Sequence, residues 1–136
     1  MAQTACGTPY FMPPEVCLGK PYDSKADVWA IGVIIYELIM LKKPFRGKEI
    51  LNVLQSITKS SYDPLHDDSD PDLKQLVVSL LQKDFNKRPS IFEVANFPCV
   101  RAELLEFIEE SECQDQVLEI IDLINPAQQS FEEEKS

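Results

Sequence analysis

One stretch, Ser24 to Leu41, limits what this chain can fold into more than any other: Ser-Lys-Ala-Asp-Val-Trp-Ala-Ile-Gly-Val-Ile-Ile-Tyr-Glu-Leu-Ile-Met-Leu. Ser24 and Asp27, three residues apart, have the form of a capping box, which predicts a helix start. From Val28 onward almost every position is apolar, so the predicted helix has no broad solvated face. A helix that is hydrophobic all round lies in a protein core or in a membrane. The run from Val28 to Leu41, interrupted by Gly32 and Glu37, falls short of the ~20 apolar residues that a membrane span needs. It is therefore read as the buried central helix of a soluble domain, and it needs covering on every side.

A chain of 136 residues is expected to form one domain or part of one. Its charge is unevenly placed. Residues 1–102 carry 12 Lys and Arg against 12 Asp and Glu, whereas residues 103–136 carry 1 Lys against 11 acidic residues. The net charge of −10 thus belongs to the C-terminal segment and not to the domain. Nucleic acids and anionic membranes demand concentrated positive charge, so neither is expected as a partner. No secretory signal opens the chain, and a cytoplasmic location is expected. The four cysteines, Cys6, Cys17, Cys99 and Cys113, include no Cys-x-x-Cys pair, and His66 is the only histidine. No zinc site is expected, and the cysteines read as reduced thiols, with a redox role at Cys6 as the alternative.

Residues 1–23 contain Pro9, Pro13, Pro14 and Pro21, which fix φ and withhold donors. They predict an ordered loop with at most one short helical turn after Pro14. The central helix follows and is expected to end near Leu41, where Lys42 and Lys43 suit its C-terminal dipole and Pro44 stops it. Apolar residues at 50, 53, 54 and 57 lie on one helix face. Residues 58–72 are polar and read as a loop, after which Asp70 and Pro71 have the form of an N-cap and first helical position. Leu73, Leu76, Val77, Leu80 and Leu81 make the next stripe. Ser90 and Glu93 form a further capping box, opening a short helix that Pro98 is expected to interrupt. Leu104, Leu105 and Ile108 form one more stripe, and Val117, Ile120, Ile121 and Ile124 another, ended by Pro126. Residues 126–136 read as a disordered acidic tail. No strand pattern is convincing, so the chain is expected to be mainly α.

Three short motifs stand in order: Gly-Thr-Pro-Tyr-Phe-Met-Pro-Pro-Glu at 7–15, Asp-Val-Trp-Ala-Ile-Gly at 27–32 and Asn-Lys-Arg-Pro-Ser at 86–90. Together they resemble the second half of the helical C-terminal lobe of a bilobal eukaryotic serine/threonine protein kinase. Pro13-Pro14-Glu15 looks like the Ala-Pro-Glu element of that family, with proline at its first position. The resemblance covers residues 1–102, and residues 103–125 are then an acidic amphipathic helical extension. Ala-Gln-Thr-Ala-Cys-Gly-Thr-Pro-Tyr-Phe-Met-Pro-Pro-Glu is most similar to the NIMA-related kinases.

The residues themselves admit two readings of Glu15 and Arg88. They are either separate solvated charges or, if they meet, a buried bidentate pair tying the loop to the helical core. The resemblance favours the pair. It also implies that Thr8, with Gly7 and Pro9, lines the substrate pocket and that Thr4 is the phosphorylated position of an activation loop. Asp27 reads as a helix-dipole or capping residue, and the resemblance implies that it also holds the backbone of a catalytic loop. Trp29 is expected in the core, and Gly32 is expected where a neighbouring backbone comes close.

Phosphoryl transfer needs a nucleotide cradle, a strand lysine, a metal-binding aspartate and a base that orients the hydroxyl. The sequence holds no Gly-x-Gly-x-x-Gly, no Val-Ala-Ile-Lys, no His-Arg-Asp and no Asp-Phe-Gly. The resemblance places these parts before residue 1, in a parent kinase that uses ATP and Mg²⁺ and acts on protein substrates. Met1 is then expected to reflect a truncated gene model, a partial transcript or a shortened isoform, and the chain alone is expected to transfer no phosphate. It would need the preceding part of the kinase domain as its partner. The alternatives are a non-catalytic interaction module, whose acidic tail helices dock in a partner's groove, and part of a pseudokinase. With faces of the central helix uncovered, residues 1–136 alone are expected to be poorly soluble or molten. A sharp two-state melt from a soluble monomer would contradict this.

Overall fold

The computed structural model describes residues 9–110. These are helical, with no strand among them: α1 (Pro14–Cys17), α2 (Ser24–Met40), α3 (Ile50–Lys59), α4 (Pro71–Leu80), α5 (Ile91–Ala95) and α6 (Pro98–Glu110). A 3-10 turn over Pro9–Phe11 precedes α1. The chain divides into two units after Ile91. The acidic tail and the stripe predicted over residues 117–124 lie outside the described residues.

In the first unit α2 starts one residue from where the capping box puts it. Asp23 is the N-cap, and its side chain accepts from the backbone N–H groups of Lys25 at 2.9 Å and Ala26 at 3.3 Å. Ser24 is already helical. Asp is as good a cap as Ser, and its carboxylate also meets the positive end of the helix dipole. At the other end Leu41 takes a left-handed conformation with φ 57°, and its N–H donates to the Glu37 carbonyl at 2.8 Å. Helix α4 begins as expected, with Asp70 Oδ1 accepting from Asp72 N at 2.8 Å and Pro71 at the first helical position.

The core is built on one side of α2. Trp29, Val33 and Tyr36 join Phe45, Val53, Ile57, Leu65, Val77 and Leu81 in one cluster. Trp29 stacks on Phe45 with ring centroids 5.5 Å apart, and Tyr62 meets Tyr36 edge-on at 5.5 Å. Tyr62 and Leu65 come from the stretch read as a polar loop. Two apolar side chains there pack inward, and Tyr36 Oη donates to the Asp63 carbonyl at 2.7 Å to hold that loop down. Ile34, Leu38 and Leu41, on another face of α2, are 47%, 72% and 88% exposed, so the helix is not covered on every side within the described residues.

The second unit contains the end of α5 and all of α6. Pro98 does not interrupt a helix; it is the first residue of α6. The missing N–H of proline costs nothing there, because the first helical N–H groups have no intrahelical acceptor. Asn96 N donates to Glu93 O at 3.1 Å and Arg101 N to Phe97 O at 2.8 Å, so the helix changes direction over Asn96 and Phe97. Helix α6 is continuous from Pro98 to Glu110, so the boundary expected after residue 102 falls inside a helix.

Helix α2 packs on α4 at Gly32. A Cβ there would lie 2.8 Å from Leu80 Cβ, closer than Cβ atoms approach other carbons, and 3.0 Å from Leu81 Cδ2, a contact that would force a shift. The close approach that Gly32 permits is thus to side chains of α4. Gly32→Ala is expected to destabilise the protein by ~1–3 kcal/mol, the usual cost of overpacking a core. Chemical denaturation of wild type and variant checks this; an unchanged midpoint would refute it.

Candidate functional site

Glu15 enters a buried position because Pro13 and Pro14 direct the chain inward: Pro13 is extended at φ −72° and ψ 162°, and Pro14 opens α1. Arg88 follows a turn that begins at Asp84, whose Oδ1 accepts from Asn86 N at 3.0 Å and whose carbonyl accepts from Arg88 N at 3.2 Å. The two side chains meet. Arg88 Nη1 donates to Glu15 Oε1 at 2.7 Å and Nη2 to Oε2 at 3.1 Å, in the bidentate geometry that suits a carboxylate. Arg88 is 1% exposed and Glu15 8%.

The guanidinium does more than pair with a carboxylate. Nη1 also donates to the Lys25 carbonyl at 2.9 Å, while Nε and Nη2 donate to the Gln82 carbonyl at 3.0 and 2.9 Å. Lys25 Nζ returns the contact by donating to the Arg88 carbonyl. The guanidinium carbon lies 5.0 Å from the centroid of the Trp29 ring, a cation–π contact. Trp29 Nε1 is buried with no hydrogen-bond partner among the described residues. The clasp thus joins α1, the first turn of α2 and the segment after α4.

Next to the clasp, Pro9 begins the 3-10 turn in which Met12 N donates to Pro9 O at 3.1 Å. Lys43 Nζ lies 4.8 Å from the Tyr10 ring centroid and 5.7 Å from that of Phe11, and donates to both Glu37 carboxylate oxygens at 3.2 and 3.3 Å. Helix α2 and its C-terminal extension therefore hold this turn. Thr4, Gly7 and Thr8 lie outside the described residues, as do Cys6 and Cys113.

Asp27 is in the first turn of α2 but does not cap it. It is exposed, and Oδ1 accepts from Tyr22 Oη, which raises the Tyr22 pKa because the hydrogen bond favours the neutral phenol. Cys17 and Cys99 are free thiols. Burial, and to a lesser degree the Glu15 carboxylate, push the Cys17 thiol up to about 11 against the opposing effect of a backbone hydrogen bond, so it stays protonated and weakly nucleophilic near neutral pH. Among the described residues no three His, Cys, Asp or Glu side chains are grouped to hold a metal ion. No described helix is long and apolar enough to cross a membrane.

Helices α2 and α4 pack on each other, and a buried Glu–Arg pair clasps the first turn of α2 to the proline-rich segment that opens α1. The chain belongs to the protein kinase family: residues 1–100 match the protein kinase domain. Its relatives include NIMA-related serine/threonine kinases. It is 39% identical over 101 residues to serine/threonine-protein kinase Nek8 of Danio rerio, an alignment covering 74% of this chain and 14% of that protein. Identity to nekl-2 of Caenorhabditis elegans is 37%, over 73% of this chain and 28% of the relative. The G2-specific protein kinase nimA of Emericella nidulans is 34% identical over 74% of this chain and 14% of its own length. The chain thus spans at most about a quarter of the length of these relatives.

Sequence reasoning did not find Gln82 or Lys25. Gln82 takes part through its backbone carbonyl, which leaves no trace in residue type, and Lys25 through both its carbonyl and its ammonium group. Glu15→Gln and Arg88→Met are each expected to lower stability by ~3–5 kcal/mol, because the partner charge stays buried and unpaired. The double variant is expected to lose less than the sum of the two. A double-mutant cycle by urea denaturation measures the difference, and strict additivity would mean that the two residues do not act together.

Proposed function

We propose that this chain is the substrate-facing half of the C-terminal lobe of an active serine/threonine kinase that works in the cytoplasm. The complete enzyme would transfer phosphate from ATP, with Mg²⁺, to hydroxyl groups of protein substrates. The observation that carries this reading is the Glu15–Arg88 clasp, 73 residues apart in sequence, which ties α1 to the first turn of α2. Gly7, Thr8 and Pro9 would line the pocket for the residue next to the acceptor hydroxyl, with Tyr10 and Phe11 held by Lys43. Thr4 would accept an activating phosphate, whose added charge and acceptor oxygens order such loops against arginines. Asp27 would hold the backbone of the catalytic loop.

The uncovered face of α2 supports the same reading. Ile34, Leu38 and Leu41, with Glu37, line a hollow of about 370 Å³. The preceding part of the kinase domain would pack there and bury this apolar surface.

The test is phosphate transfer from ATP to a protein substrate by the full-length protein. Transfer by the wild type, strongly reduced in Thr8→Ala and reduced in Thr4→Ala but restored in part by Thr4→Glu, is the expected result. A wild type that folds and binds partners but transfers no phosphate would establish the non-catalytic alternative. Phosphopeptide mapping that finds Thr4 unmodified in fully active enzyme would remove it from the activation loop.

A further inference from the structure

In the first unit, the loop before α4 and α4 itself enclose a cavity of about 500 Å³, within the range of pockets that take small organic molecules. Tyr62, Leu65, Val77 and Val78 form apolar walls, and Lys74 and Lys83 stand among them. Leu65 and Val77 are buried core residues, so that side of the cavity is firm, while Val78 is half exposed at the rim.

Both ammonium groups are positioned by backbone. Lys74 Nζ donates to the Asp67 carbonyl at 3.0 Å, and Lys83 Nζ donates to the Ile57 carbonyl and lies 4.5 Å from the centroid of the Phe45 ring. An ammonium has three donors, and one carbonyl apiece leaves capacity on each. Among the described residues neither makes an ion pair. Burial lowers the Lys83 pKa, as expected of a cation short of both water and counter-charge. Asp67 also lines the cavity, so the lining residues carry two cations and one anion.

We propose that this cavity binds a small amphipathic monoanion, a carboxylate carried on an aromatic or aliphatic body. Its carboxylate lies at Lys74, with Lys83 the second cation of the lining, and its body rests against Tyr62, Leu65 and Val77. The site shares no residue with the Glu15–Arg88 clasp or with the turn at Pro9, so it stands whether or not the complete protein transfers phosphate.

Calorimetric titration of the full-length protein with 4-phenylbutyrate, 4-phenylbutanol and inorganic phosphate tests it. The carboxylate is expected to bind about tenfold more tightly than the alcohol, the worth of one charge-assisted hydrogen bond. Val78→Asp is expected to abolish binding by placing a carboxylate at the rim, and Lys74→Gln to weaken it several-fold. Both positions are at the surface, and an unchanged melting temperature shows that neither variant acts by unfolding. Equal binding of carboxylate and alcohol would overturn the proposal. So would binding that survives Val78→Asp, or displacement of the carboxylate by phosphate alone at similar concentration.

Discussion

All five N–H donors of the Arg88 guanidinium are used: two on Glu15, one on the Lys25 carbonyl and two on the Gln82 carbonyl. A guanidinium can be taken wholly out of water only under such conditions, because each unsatisfied donor or uncompensated charge costs more than burial returns. The arrangement therefore stabilises less by its own attraction than by making every departure from it costly. It also reaches into the apolar core. Arg88 lies over Trp29, Trp29 stacks on Phe45, and Phe45 meets Tyr62 edge-on at 6.1 Å. Ionic clasp and aromatic cluster are one continuous structure.

What could be read from residue types was whatever is carried by side chains in register. The 24–41 helix, the α4 start at Asp70–Pro71 and the ordered kinase motifs belong to this class. What could not be read depends on competition between similar residues or on backbone atoms. Asp23 and Ser24 are both good caps, and only the geometry chooses Asp23. Pro98 could stop one helix or start the next, and the turn at Asn96 and Phe97 decides for the start. Tyr62 and Leu65 stand too far apart among polar residues to show a period, yet both pack inward. In the candidate site, Glu15 and Arg88 were legible as a possible pair, but their backbone partners were not.

The 3-10 turn at Pro9–Phe11 shows how a short segment outside the main helices is given a fixed position. Tyr10 and Phe11 offer ring faces, and Lys43 offers a cation tied to Glu37. The pair is partly solvated, so its Coulomb attraction alone is worth little. Its effect is positional: the ammonium cannot leave the rings without also leaving the carboxylate. The same α2 helix that supplies Trp29 to the core supplies Glu37 to this support, so the loop inherits its position from the most buried element of the first unit.

The contact of Gly32 with Leu80 and Leu81 bears on how the first unit can move. Helices that slide past one another need clearance at the crossing point, and here there is none to give. Interlocked surfaces of this kind are bistable or immobile, and do not deform by degrees. Helices α2 and α4 should therefore travel as a single block. Any rearrangement that accompanies binding is left to segments outside that block.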